Sequence, residues 1–144
     1  MSDVDGYLDN CMYFTAARLH RALERMAEDC FAAAGLAPSQ AFLLMMVQDR
    51  PGIGAGELAR ALHLAPSTLS RFLDKVEALG LAKRSREGRN AVVAITAKGR
   101  KLRRTLDAGW DELYRRYCGI LGEAEAKRLT SVLRKTGDRL ERGL

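Results

Sequence analysis

At 144 residues the chain is the size of one domain, and a hydrophobic content of 47% excludes wholesale disorder. Only two histidines and three cysteines without C-x-x-C spacing leave few ligands for zinc, so no metal or cofactor is expected. Net charge is +6 and it is concentrated: residues 55–104 hold 12 Lys and Arg against 4 Asp and Glu, while the remainder holds 12 against 14. A basic block between near-neutral flanks points to a polyanionic partner.

The chain starts Met1-Ser2-Asp3-Val4-Asp5, acidic where a signal peptide is basic. Its longest apolar run, residues 41–47, is too short to span a bilayer. A cytoplasmic protein without a membrane partner is therefore expected. Residues 4–34 read as one long helix, because Leu8, Met12, Ala16, Leu19, Leu23, Met26 and Cys30 recur at steps of three or four. Gly35 is a suitable stop. A helix this long exceeds what a small domain can bury, so it is expected to pack against a second subunit. Pro38-Ser39 opens a second helix that runs through Val47, apolar on nearly every side and so placed in the core. Asp49-Arg50-Pro51-Gly52 ends it.

Two short helices follow at residues 55–62 and 66–79, then two strands at 81–86 and 91–96 joined by Glu87-Gly88-Arg89-Asn90. Thr96 reads as the N-cap of a helix over 97–118, with Leu102, Leu106, Trp110, Leu113 and Tyr117 on its stripe. The last helix, 123–142, carries Ala126, Leu129, Leu133 and Leu140 on its own stripe.

The informative stretch is residues 57–72. Two helices that cross steeply need a small residue at the crossing, which Ala59 supplies. They need apolar anchors around it, which Leu58, Leu62, Leu64, Leu69 and Phe72 supply. The turn His63-Leu64-Ala65 requires one left-handed residue, and His63 is the candidate. Pro66 then fixes the first turn of the next helix. That helix presents Ser67, Thr68, Ser70, Arg71, Asp74 and Lys75 outward and points Leu69, Phe72, Leu73, Val76 and Leu79 to the core. A DNA-reading helix needs short polar groups where it enters the major groove and a long basic donor one turn later. Ser67 and Thr68 meet the first need. Arg71 meets the second and can bond bidentately to guanine. Lys75 suits a phosphate. Lys83, Arg84, Arg86 and Arg89 crowd the hairpin, whose tip arginine suits the narrow minor groove. Among Lys98, Arg100, Lys101, Arg103 and Arg104, most are expected on a solvated helix face.

The expected fold is mainly α with a small β-wing: a winged helix-turn-helix flanked by long N- and C-terminal dimerisation helices. Within a single compact subunit of 1–144, the DNA-binding region is 36–99, and 1–35 and 100–144 form the dimerisation helices.

These segments resemble the MarR-type winged-helix regulators over nearly the whole chain. The resemblance rests on Cys11-Met12-Tyr13-Phe14-Thr15-Ala16-Ala17-Arg18, on residues 57–80 with their Leu64-Ala65-Pro66-Ser67-Thr68-Leu69-Ser70-Arg71 core, and on Ile95-Thr96-Ala97-Lys98-Gly99. It implies a homodimer on a pseudo-palindromic operator in double-stranded DNA; many members of the family are repressors released by a small-molecule effector or by oxidation, and a repressor is the expectation here. The family wing carries an Asp-x-Arg turn in a longer loop. Here Glu87-Gly88-Arg89 takes its place, with Arg89 as the wing arginine and Glu87 as the acid that orients it.

Cys11 lies near where some relatives place a peroxide-sensing cysteine, although its register fits a buried packing cysteine better. Tyr13, Trp110 and Tyr114 are candidates for an effector pocket, with core or interface packing as the plainer role. Glu24, Glu28, Arg21 and Arg25 read as helical ion pairs. No nucleophile–base pair, phosphate loop or metal cluster is visible, so an enzyme is not expected. Two other readings stay open: a winged-helix protein-interaction module without specific DNA binding, and a thiol-based oxidant sensor acting through Cys11.

Overall fold

The structure is a computed structural model that describes residues 3–144. In chain order its elements are α1 (Val4–Asn10), α2 (Met12–Phe31), a 3-10 turn (Ala32–Ala34), α3 (Pro38–Asp49), α4 (Ala55–Ala61) and α5 (Pro66–Ala78). The strands β1 (Ala82–Glu87) and β2 (Asn90–Ile95) follow, then α6 (Ala97–Arg100), α7 (Arg103–Leu121) and α8 (Glu123–Gly143). The chain is mostly helical with one antiparallel hairpin, as expected.

The first long helix is broken. Cys11 has extended backbone, with φ −98° and ψ 120°, and separates α1 from α2. The residues before it explain why: Gly6, Asp9 and Asn10 are poor helix formers, and nothing in α1 is buried to offset that. Cys11 itself is exposed, which corrects the expectation of a packing cysteine. The helix over 97–118 is likewise divided. After α6 the Leu102 N–H donates back only three residues, to the Gly99 carbonyl at 3.1 Å, before α7 begins.

The core lies where α3, α4, α5 and β2 meet α2 and α7. Phe31, Leu43, Leu44, Leu58, Leu73, Val76, Val93 and Leu106 are fully buried there. α3 is apolar on nearly every side, which lets it run through the middle of this cluster. Gly109 lets α7 approach α2: a Cβ at that position would lie 2.7 Å from the Phe31 ring and 2.9 Å from the Cys30 carbonyl oxygen. Trp110, next to it, turns outward and is 44% exposed rather than part of the core. Leu79 is also exposed, because α5 ends at Ala78 and Leu79 is its C-cap.

Arg103 joins the start of α7 to the end of α3. Its guanidinium donates to Asp49 Oδ1 at 2.7 Å and to Asp107 Oδ1 at 2.9 Å. The hydrogen bond from Arg103 holds the Asp49 carboxyl below its ordinary range. A carboxylate with a lowered folded pKa stabilises the fold above its unfolded value, and that stabilisation is lost as pH falls through the folded value. Asp49→Asn should therefore flatten the loss of stability below about pH 4 in acid-titrated denaturant melts. Because the Asp49 side chain is 60% exposed, the effect at neutral pH should stay within roughly 1 kcal/mol.

The terminal helices leave apolar surface uncovered. Tyr7, Met12 and Tyr13 are exposed on α1 and α2, as are Ile120, Leu133 and Leu140 on α7 and α8. α8 is 21 residues long and buries only Ala126. Near its end, Glu141 Oε1 lies 3.5 Å from Nδ1 of His63 in the α4–α5 turn. The ion pairs expected within α2 are replaced by other contacts: Glu24 pairs with His20 at 3.4 Å, and the Arg21 guanidinium lies over the Phe14 ring. Among the described residues, no single helix is long and apolar enough to cross a membrane.

Candidate nucleic-acid interface

α4 and α5 meet through the turn at residues 62–65. His63 takes the left-handed backbone there, with φ 54°, the only non-glycine residue with positive φ among those described. The Leu64 N–H reaches back to the Ala59 carbonyl at 2.9 Å, and Ala59 is buried at the crossing. Pro66 opens α5 at its first turn. Leu69, Leu73 and Val76 are buried, so the opposite face of α5 is turned to solvent.

On that face Ser67, Ser70, Arg71 and Lys75 are exposed and Thr68 is half-buried. The Arg71 guanidinium lies 3.4 Å from the Thr68 hydroxyl, a loose contact that leaves its fork available. Among the described residues, no ion pair engages Arg71, Lys75, Arg86 or Arg89.

The hairpin is paired to its tip, with Glu87 opposite Asn90, so the turn contains only Gly88 and Arg89. Gly88 has φ 64° and Arg89 a negative φ, the sign pattern of a type II′ turn. The wing is therefore short. Arg86 and Arg89 project from its outer half and are exposed. Glu87 makes no ion pair with Arg89 among the described residues, so the expected orientation of Arg89 by that acid is not found. A bridge between Gly54 and Val92 holds the wing base against the segment before α4, together with a Val93 N–H bond to the Ile53 carbonyl at 3.0 Å.

Arg84 does not belong with the outward arginines. Alternation along β1 turns it inward with buried Ala82, where its guanidinium binds Asp74 and Glu77 of α5. Its backbone N–H also donates to Glu77 Oε1 at 3.1 Å. The wing is thereby tied to the flank of α5. The sequence carried no local signal for this tie, since the partners stand seven and ten residues away on a different element. Arg84→Ala should cost about 1 kcal/mol, discounted for partial exposure, and should speed amide exchange along the hairpin. Unchanged exchange would show that the tie does not hold the wing. Lys98, Arg100, Lys101 and Arg104 are exposed, as expected for most of this group; Lys98 also donates to the Leu79 carbonyl, and half-buried Arg103 is drawn to Asp49.

The three effector or redox candidates are not brought together. Trp110 stacks on Tyr114 with centroids 5.8 Å apart, and both line a groove of about 330 Å³ between α7 and α8 that also includes Lys127 and Arg134. Tyr13 is 86% exposed and lies outside that groove. Cys11 sits at the α1–α2 break. Cys30 and Cys118 are half-buried, and burial pushes the Cys30 thiol up, away from the reactive thiolate.

A helix pair crossing through a left-handed turn, followed by a hairpin tied to the second helix, defines a winged helix-turn-helix. Residues 36–91 match the model of the MarR family. The chain thus carries the MarR-family winged helix-turn-helix, and its overall fold is that of MarR-type transcription regulators. No curated protein matches the chain.

Among solved structures, the PcaV transcriptional regulator from Streptomyces coelicolor, in complex with its natural ligand, is similar at TM-score 0.83 and 20% identity. That match covers 96% of this chain and 98% of that one. The transcriptional repressor CouR bound to a 23-mer DNA duplex gives TM-score 0.78 at 24% identity, over 92% of this chain and 96% of that one. CouR also has a structure from Rhodococcus jostii RHA1 bound to p-coumaroyl-CoA. The S. aureus MepR–DNA complex gives 0.78 at 20%, over 90% and 97%. At these identities the likeness is one of fold.

Proposed function

We propose that the protein is a DNA-binding transcription regulator, a repressor that reads a pseudo-palindromic operator as a homodimer and is released by a small ligand or by oxidation. It acts in the cytoplasm and is not an enzyme. The observation that carries this reading is α5: a helix on a helix-turn-helix scaffold whose exposed face holds short polar groups at its start and uncommitted cations one and two turns on. In this reading residues 36–99 bind DNA. Ser67, Thr68 and Ser70 enter the major groove, Arg71 reads a guanine edge, and Lys75 meets a phosphate. Arg86 and Arg89 carry the wing to the adjacent minor groove.

Residues 1–35 and 100–144 are the dimerisation helices. The apolar side chains left exposed on α1, α2, α7 and α8, and the near-absence of burial on α8, support this. Light scattering should report twice the subunit mass. The relatives bound to DNA, and those bound to a ligand, support the DNA and effector parts of the reading. For the effector, Trp110 with Tyr114 is better placed than Tyr13. For oxidation, Cys11 is the accessible thiol, and Cys11→Ser should abolish any release of DNA by peroxide.

Fluorescence anisotropy tests the whole. The protein is titrated onto promoter DNA of its own locus and onto scrambled DNA at several salt concentrations. Preference for the promoter, with a log–log salt slope of about −0.9 per phosphate neutralised, is expected. No binding even at low salt would defeat the proposal in favour of a protein-interaction module.

A further inference from the structure

The stretch Ile95-Thr96-Ala97-Lys98-Gly99 lies against the rear of α5, roughly 18 Å along the helix from Ser67, and none of its side chains is among the DNA contacts proposed above. α5 closes with Gly80 at φ 74°. The Gly80 N–H donates to the Glu77 carbonyl at 2.8 Å and the Leu81 N–H to the Val76 carbonyl at 2.9 Å, a Schellman-type closure. The next three carbonyls all face the opening of α6. Lys98 Nζ donates to the Leu79 carbonyl at 2.7 Å. Thr96 Oγ1 donates to the Gly80 carbonyl at 2.6 Å. The Thr96 N–H donates to the Leu81 carbonyl at 3.1 Å. Thr96 is held in turn, because its hydroxyl accepts from the Gly99 N–H at 3.0 Å and so caps α6. An ammonium at a helix C-terminus also complements the helix dipole.

We propose that Lys98 and Thr96 are positioning residues for DNA reading, which bolt the C-terminal end of α5 to the α6–α7 arm and fix the angle at which α5 is presented. The inference rests on the DNA-reading role proposed above. The arm is itself rigidly seated, through Leu106 in the core and Gly109 against Phe31. In a two-fold dimer the two reading helices must reach groove segments about 34 Å apart. A reading helix that pivots loses that fixed spacing and keeps its charge.

Lys98→Met keeps most of the stem and removes the ammonium, while Lys98→Arg retains a donor. The full-length proteins are titrated onto an operator that the parent selects from a random library, and onto versions with half-site spacing changed by one or two base pairs. Lys98→Met should lose about tenfold on the selected spacing, the scale of one charge-assisted hydrogen bond. Its preference for that spacing should shrink, its salt slope should match the parent, and Lys98→Arg should restore the spacing preference. An equal loss on every spacing, with a slope shallower by about 0.9 per subunit, would make Lys98 a phosphate contact and overturn the proposal. So would unchanged binding. Amide exchange of the protein without DNA gives a separate readout: the Gly80 and Leu81 amides should exchange about tenfold faster in Lys98→Met, and unchanged protection also overturns the proposal. A parent that binds no DNA defeats the DNA-reading function instead, and the exchange result still decides whether Lys98 holds α5.

Discussion

Arg71→Ala should weaken operator binding by about 1–3 kcal/mol per half-site, and so by roughly 2–6 kcal/mol in a dimer that uses both. The loss should fall on specific binding. Arg71 stands one turn into α5, on the exposed face, with only a 3.4 Å contact to Thr68 to release before its fork can meet a base. Removing it leaves the guanine edge unpaired but subtracts little from the phosphate attraction that supplies non-specific affinity. Discrimination between operator and scrambled DNA should therefore collapse, while binding to scrambled DNA changes little. Lys75→Ala should behave differently, weakening both DNAs alike and lowering the salt slope by about 0.9 per subunit. If Arg71→Ala left discrimination intact, α5 would not be the reading helix.

Gly99→Ala should destabilise the fold by about 3 kcal/mol, at the upper end for overpacking. A Cβ at Gly99 would lie 2.2 Å from the Leu81 carbonyl oxygen and 2.7 Å from Ile95 Cγ1. The Ile95 side chain can rotate, but the Leu81 carbonyl cannot, because the Thr96 N–H is bonded to it at 3.1 Å. In a chain of this length the thermal midpoint should fall by roughly 10 °C. Gly56→Ala in α4 is the control. Its Cβ would meet only the Arg60 guanidinium, at an ordinary 3.5 Å, and a helical alanine there should be neutral or stabilising by up to about 1 kcal/mol. Equal melting of Gly99→Ala and the parent would mean that α6 does not press on the chain between α5 and β1.

Much of the site was legible in the sequence because its signals are local. Apolar residues recur every three or four positions on a helix and every second on a strand, so the α4–α5 pair, the two strands and the long terminal helices could be read directly. Special backbone positions also announce themselves by residue type. His63 and Gly35 are legible by type as turn and stop residues, and both have positive φ. Thr96 was read as an N-cap, and its hydroxyl accepts from the Gly99 N–H. The first helix, too long for a small domain to bury, was legible as a surface seeking cover, and Tyr7, Met12 and Tyr13 on α1 and α2 are exposed.

The tertiary structure alone decided which cations are available. Charge counting treats the twelve basic residues of the middle third as one block. The fold separates Arg71, Lys75, Arg86 and Arg89, which face solvent, from Arg84, Lys98 and Arg103, which hold elements together. A side chain's partner across 10, 19 or 54 residues depends on how the elements pack, and no local periodicity records that. The same reason hid the contacts at Gly99 and Gly109, whose meaning lies in the backbone or ring pressed against them. It also hid the break at Cys11, where a stripe continues but no burial offsets poor helix formers. The sequence by itself determined most of the elements and the exposed polar face of α5; packing alone determined where the long helices break and which charges are left over to meet a partner.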